Sequence, residues 1–167
     1  MFSVDGQNVI ITGGSRGIGL ALAEGFSSAG ANVITLDINP PEVEGNYNYI
    51  NCDLGNQDHI QVVLDRIFSD GFIPKVLINC AAVTIPAPSH QYSDTDWRKS
   101  ISVNLDAVFT LCREVGRIMI NSSISGSIIN FTSIGAEQGF ANNPGYAATK
   151  GAVKQLTKAL AVEWGEH

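Results

Sequence analysis

Charge is scarce in this chain. Only 16% of its 167 residues are Asp, Glu, Lys or Arg, and ten of them are basic. A net charge of −6 leaves no basic face for a phosphate backbone, so no nucleic-acid partner is expected. The acidic residues are scattered and serve solubility. Cysteine is scarcer still. Cys52, Cys80 and Cys112 stand far apart, with no C-x-x-C pair and no metal-ligand spacing. They read as reduced, half-buried thiols, and no metal is expected. No apolar run approaches the roughly 20 residues of a membrane span, so no membrane partner is expected either. Met1–Asp5 has neither a basic nor an apolar region, so no secretory signal is expected and the location reads as cytoplasmic. Repeats and low-complexity tracts are absent too.

What the chain does have is apolar residues, 44% of the total, enough for one sizeable core. Residues 1–167 therefore read as a single domain. Apolar, β-branched runs alternate with helical patterns. Strands are expected at Asn8–Thr12, Asn32–Leu36, Asn48–Asn51, Lys75–Asn79 and Ser127–Thr132. Helices are expected at Gly17–Ala29, Gln57–Ser69, Asp94–Lys99, Ile101–Asn121 and Gly145–Gly165. Gly30 is placed to end the first helix, and Ser93 to cap the short one. Asn39-Pro40-Pro41 breaks the chain after the second strand. Continuous apolar strands between helices predict a doubly wound α/β fold. Its parallel sheet, ordered 3-2-1-4-5, has helices on both faces and ligands at the carboxyl ends, between strands 1 and 4.

The first strand runs straight into Gly13-Gly14-Ser15-Arg16-Gly17-Ile18-Gly19 and then a helix. Gly13 and Gly19 suit a tight turn with bare backbone, and the helix start offers unpaired N–H groups to an anion. A Walker loop is excluded, because Leu20 stands where its lysine would follow Gly19. The spacing also departs from G-x-G-x-x-G. Taken alone, the glycines also suit, less well, a turn that merely packs helix on sheet.

Asp37 closes the second strand, eighteen residues beyond Gly19. A carboxylate there accepts hydrogen bonds from ribose hydroxyls and repels a 2′-phosphate. Arg16 argues the other way, since a guanidinium beside the loop pairs with such a phosphate. NAD is the favoured cofactor on this reading, with NADP the other possibility. Asn79-Cys80-Ala81-Ala82 follows strand 4, where small residues let a flat ring lie on the backbone or simply make a tight turn. Tyr146 and Lys150, four apart, share one helix face. A free tyrosine, with a pKa of about 10, is a weak base at neutral pH, and a nearby ammonium favours its phenolate. Such a pair takes a proton from an alcohol or gives one to a carbonyl.

In this order, Gly13-x-x-x-Gly17-x-Gly19, Asp53, Asn79-Cys80-Ala81-Ala82, Asn104, Ser133 and Tyr146-x-x-x-Lys150 resemble the short-chain dehydrogenase/reductase family. The resemblance spans the whole chain and implies a Rossmann-like fold. It makes Tyr146 the general acid/base and Lys150 the group that favours its phenolate and holds the nicotinamide ribose. Ser133 would hydrogen-bond the reacting oxygen, and Asn104 would hold a relay water. Cofactor contacts would come from Gly13, Ser15, Arg16, Gly17, Ile18, Gly19, Asp37, Asp53, Leu54, Asn79, Ala81, Tyr146 and Lys150. The implied reaction moves a hydride between a nicotinamide and a secondary alcohol or ketone. Sugar or polyol derivatives are the first substrate expectation and 3-oxoacyl thioesters the second. The family also implies a homodimer or homotetramer for a full-length form.

Two departures stand out. Ala82 replaces the family's glycine, and the resemblance implies further strands and a substrate cover beyond His167. A sheet truncated after the helix that follows strand 5 is therefore expected. A fragment, an early-terminated product and a chain completed by a partner all fit. The alternative function is a dinucleotide-binding fragment or regulatory subunit without turnover.

Overall fold

The computed structural model describes residues 3–167; Met1 and Phe2, which open the stretch read for a signal, lie outside them. Five strands form one parallel sheet: β1 (Asn8–Thr12), β2 (Asn32–Asp37), β3 (Asn48–Asn51), β4 (Val76–Asn79) and β5 (Ser127–Asn130). Their order is β3-β2-β1-β4-β5, as the alternating pattern predicts. Chain direction across the sheet reverses between β1 and β4. Five helices accompany them: α1 (Gly17–Ser28), α2 (Gln57–Ser69), α3 (Asp94–Ile101), α4 (Ala107–Asn121) and α5 (Pro144–Trp164).

The period of two along each strand divides the core. Ile10, Leu36 and Leu77 face α2, α4 and α5, where they meet Ile60, Leu64, Leu111, Val115 and Val153. Val9, Ile11, Val33 and Ile78 face the other way, against Ala23 of α1. Strands buried on both faces have no polar side to spare, which is why they read as unbroken apolar runs. β2 and β3 are joined by Ile38–Tyr47 without a helix, an unusually short parallel crossover.

The helix ends follow local chemistry. Gly30 takes φ +88° after α1. Its N–H donates to Ser27 O at 2.9 Å and that of Ala31 to Phe26 O at 3.0 Å, a Schellman closure. Ser93 Oγ accepts the Asp96 N–H at 3.0 Å at the start of α3, as expected. Asn56 caps α2 in the same way, accepting the His59 N–H at 3.1 Å.

One expectation needs correcting. The segments Asp94–Lys99 and Ile101–Asn121 are not separate helices. A π turn at Ser102–Asp106 fuses α3 to α4. One inserted residue shifts the helical phase too little to show in a stretch that is apolar on several sides. Strand limits also differ by a residue or two. β4 starts at Val76 and β5 stops at Asn130, although Phe131 N still donates to Asn79 O at 3.0 Å.

Thr12 ends β1 with its hydroxyl turned to the neighbouring strand. Its Oγ1 accepts the N–H groups of Cys80 and Ala81, both at 3.1 Å, and Thr12 is 1% exposed. Thr12→Val keeps the shape but strands two partly buried donors. It should cost about 1–3 kcal/mol in urea denaturation, while Thr35→Val, which removes a buried hydroxyl oxygen that has no hydrogen-bond partner, should cost much less.

Candidate active site

The site begins where β1 meets α1. Gly13 takes φ +71°, and a Cβ on it would stand 2.8 Å from Ala81 Cα. A Cβ on Gly19 would stand 2.0 Å from the Gly13 carbonyl oxygen. Only bare backbone lets the turn, the helix start and the end of β4 come this close. Gly14 is packed the same way, its missing Cβ 2.6 Å from Thr35 Cβ, a constraint the spacing of the motif does not reveal.

α1 starts without a side-chain cap, and nothing lies within 4 Å of a Cβ position at Gly17. The helix start at Gly17 is thus open, at the positive end of a twelve-residue helix whose first-turn N–H groups have no partner within the helix. That cradle fits the pyrophosphate of a dinucleotide. Arg16 and Ile18 flank it, both exposed. The Arg16 side chain makes no hydrogen bond or ion pair among the described residues, while its carbonyl accepts the Leu20 N–H at 3.2 Å.

Ser15 faces inward, 2% exposed. Its Oγ donates to Asn39 O at 2.5 Å and its N–H to Asp37 Oδ2 at 3.2 Å. Asp37 Oδ1 accepts the Asn39 N–H at 3.1 Å. About four lone-pair sites belong to a carboxylate, so Asp37 keeps two for ribose hydroxyls. Glu42 N–H donates to Ser15 O at 3.0 Å, folding the β2–β3 connection onto the glycine turn.

Asp53 lies at the end of β3, its Oδ1 accepting the Gly55 N–H at 2.9 Å. Leu54 is packed in the main core at 7% exposure, so it offers a ligand main-chain groups above all. Asn79 is buried at 2%, and its amide donates to Asn130 Oδ1 at 2.8 Å. It therefore braces the sheet, while Ala81 forms the floor beside Gly13. The methyl of Ala82 is exposed and meets no packing constraint.

Asn104 sits in the π turn at 0% exposure. Its Oδ1 accepts the Val83 N–H and its Nδ2 donates to Val83 O, both at 2.8 Å, with Thr149 Oγ1 at 3.3 Å from Nδ2. Both amide hydrogens are thus spent on the chain, and Oδ1 keeps one lone pair. Ser133 Oγ accepts the Gly135 N–H at 3.0 Å, which leaves the hydroxyl proton free to be donated. Tyr146 and Lys150 share one face of α5, with the ammonium 5.7 Å from the ring centroid.

Lys150 is 2% exposed, and no carboxylate reaches it among the described residues. Its Nζ donates to Phe131 O at 2.6 Å. Burial holds its pKa below the ordinary lysine range, opposed by the Cys80 thiol nearby. Burial likewise pushes Cys52 and Cys112 up to about 11, so these two free thiols are inert at neutral pH. Thr12, Gly14, Thr149 and the Phe131 carbonyl are parts of the site that the residue pattern left unseen. Their partners lie 19 to 69 residues away in sequence, where no motif points.

A glycine turn at the point where a parallel sheet reverses, with Tyr146 and Lys150 beside it, defines a dinucleotide-binding α/β domain. The family model described as short chain dehydrogenase matches residues 7–167, and the chain belongs to that family of oxidoreductases. It is 36% identical to 2-dehydro-3-deoxy-D-gluconate 5-dehydrogenase of Pseudoalteromonas atlantica, over 98% of this chain and 68% of that protein. Among solved structures it resembles 4-hydroxyisoleucine dehydrogenase complexed with NADH. The TM-score there is 0.92 and the identity 32%, covering 96% of this chain and 70% of the other. It also resembles gluconate 5-dehydrogenase of Burkholderia cenocepacia in complex with NADP and tartrate, with a TM-score of 0.89 and 32% identity over 98% and 68%. The chain thus spans about two thirds of the length of these relatives.

The buried ammonium makes stability depend on pH. With its folded-state pKa lowered, Lys150 binds its proton less firmly in the folded than in the unfolded chain. Folding is therefore penalised below the folded-state pKa, and the penalty fades as pH rises towards the unfolded value of about 10.4. Urea midpoints of the native chain should rise relative to those of Lys150→Met as pH is raised from 7 towards 10. A constant difference would contradict this reading.

Proposed function

We propose that the protein is a nicotinamide-dependent dehydrogenase/reductase in which Tyr146 carries the proton. The observation that carries this reading is the buried, carboxylate-free ammonium of Lys150 against the Tyr146 ring, at the carboxyl ends of β4 and β5. Such a charge is costly to bury, and its location beside an ionisable phenol gives it a chemical purpose. The bound nicotinamide supplies the hydride acceptor or donor. In the oxidising direction Tyr146, as phenolate, takes the substrate hydroxyl proton while the carbinol hydrogen departs as hydride. Ser133 donates a hydrogen bond to the reacting oxygen and keeps its proton. Lys150 favours the phenolate and uses its remaining N–H groups on the ribose. Asn104 would hold the relay water with what its side chain has left, since both amide donors go to Val83 O and Thr149 Oγ1 and one Oδ1 lone pair accepts the Val83 N–H.

NAD is the preferred cofactor on this reading. Asp37 already occupies the N–H groups of Ser15 and Asn39, and a 2′-phosphate would meet its carboxylate. NADP bound to a relative keeps the question experimental. Sugar or polyol derivatives are the first substrate class, in keeping with the sugar-acid names of two of these relatives, and 3-oxoacyl thioesters the second. Homodimers or homotetramers are the proposed assembly. Three free cysteines suit a cytoplasmic, reducing location, and among the described residues no helix is long and apolar enough to cross a membrane.

Two experiments test this. In fluorescence titrations NADH should bind more tightly than NADPH, and Asp37→Ala should narrow the gap. Tighter binding of NADPH by the native chain would instead promote Arg16. Tyr146→Phe should keep cofactor affinity and lose about 10²–10⁴ in turnover. Full activity in that variant would refute the assignment, and binding without turnover by the native chain would favour a non-catalytic role.

A further inference from the structure

α5 carries Tyr146 and Lys150, yet apolar packing grips it weakly. Of its twenty-one residues only Gly145, Thr149, Lys150 and Val153 are buried, and Val153 is the one apolar side chain among them. Leu156, Leu160 and Trp164 reach the core only in part. Apolar contacts of that kind are non-directional and set the rotation of a helix about its axis loosely.

Directional contacts do set it. Thr157 lies two turns beyond Lys150 on the sheet-facing side. Its Oγ1 accepts from Asn130 Nδ2 at 2.9 Å and donates to Val153 O at 2.7 Å. Asn130 Oδ1 in turn accepts from Asn79 Nδ2 at 2.8 Å and from the Cys112 thiol at 3.5 Å. One amide thus joins β4, α4 and α5 at the end of β5. The next residue, Phe131, donates its N–H to Asn79 O and receives Lys150 Nζ on its carbonyl. Two consecutive residues of the β5 end therefore hold α5 at two points on one face, Thr157 by side chain and Lys150 by main chain.

We infer that Asn130 and Thr157 are positioning residues: their hydrogen bond fixes the rotation of α5 and so keeps the Lys150 ammonium on the Phe131 carbonyl beside Tyr146. Neither side chain touches the reacting atoms. The inference rests on the reading of Tyr146 and Lys150 given above. A displacement of about 1 Å at a reacting group can cost 10²-fold in rate, so a small roll of the helix has a measurable consequence.

The test compares Thr157→Val, which keeps shape and loses the acceptor, with Thr157→Ser, which keeps it. Leu160→Ala serves as a control that loosens the same helix without touching the brace. Thr157→Val should lower kcat about tenfold with the alcohol KM within about twofold, and Thr157→Ser should stay close to native. Leu160→Ala should lose stability and keep kcat. A second readout needs no turnover. The side-chain ammonium resonance of Lys150, protected by burial and its hydrogen bond, should be visible by NMR in the native and Thr157→Ser proteins and lost in Thr157→Val. If Thr157→Val fails to fold, Thr157→Ala removes the same acceptor with less bulk and is read in the same way. An unchanged kcat and an unchanged Lys150 resonance in Thr157→Val, with Tyr146→Phe inactive, would overturn the brace alone. Activity in Tyr146→Phe would overturn the catalytic reading and the brace with it.

Discussion

The contact of bare backbone at Gly13, Gly19 and Ala81 is the constraint on which the rest depends. A Cβ on Gly13 would lie 2.8 Å from Ala81 Cα, and one on Gly19 would lie 2.0 Å from the Gly13 carbonyl. These distances are below any tolerable contact between heavy atoms, so no rotamer choice relieves them. Because the turn is bare, α1 starts directly beneath the ends of β1 and β4. Its first N–H groups, which have no partner within the helix, lie at this end of it. Thr12 fastens the same floor from below by accepting two N–H groups of the β4 end. The glycine turn and the end of β4 are thus held together from both sides.

On the other side of the crevice, polar side chains act as fasteners. Asn104 clamps Val83 by both its N–H and its carbonyl, and reaches Thr149 on α5. The π turn presents that amide to the loop after β4; π turns are rare and recur at functional sites. Asn79, Asn130 and Thr157 repeat the device one layer deeper. Buried amides of this kind are costly unless satisfied and specific once they are, and here only Asn79 Oδ1 of the three lacks any partner among the described residues. They explain how a helix with little apolar grip holds Tyr146 and Lys150 in register. Lys150 is the expensive member of the set, a buried cation whose observed partner is a carbonyl.

Much of the fold was legible because the strands are buried on both faces. Apolar, β-branched runs such as Asn8–Thr12 and Asn32–Leu36 stand out against amphipathic helices such as Gln57–Ser69. Alternation of the two then leaves few parallel topologies. The ordered set from Gly13 to Lys150 was legible for a related reason, since each member sits at the end of a strand or on one face of a helix. Less was legible where the partner is remote or belongs to the main chain. Nothing near Asn104 in sequence announces Val83, and nothing near Lys150 announces the Phe131 carbonyl. The fusion of α3 with α4 was hidden because Ile101–Asn121 is apolar on several sides and tolerates a phase shift.

By itself, then, the sequence determined the kind of sheet, its strand order, the position of the glycine turn and the residue types around the crevice. These depend on local periodicity and on the missing Cβ of glycine, which short stretches of chain express. The tertiary structure alone decided how those residues are used. It turned the Ser15 hydroxyl to Asn39 and set Leu54 in the core. It spent the Asn104 amide on Val83 and seated the Lys150 ammonium on Phe131 O. Each of these is a contact between distant segments, and the direction of a hydrogen bond is settled only when both ends are in place.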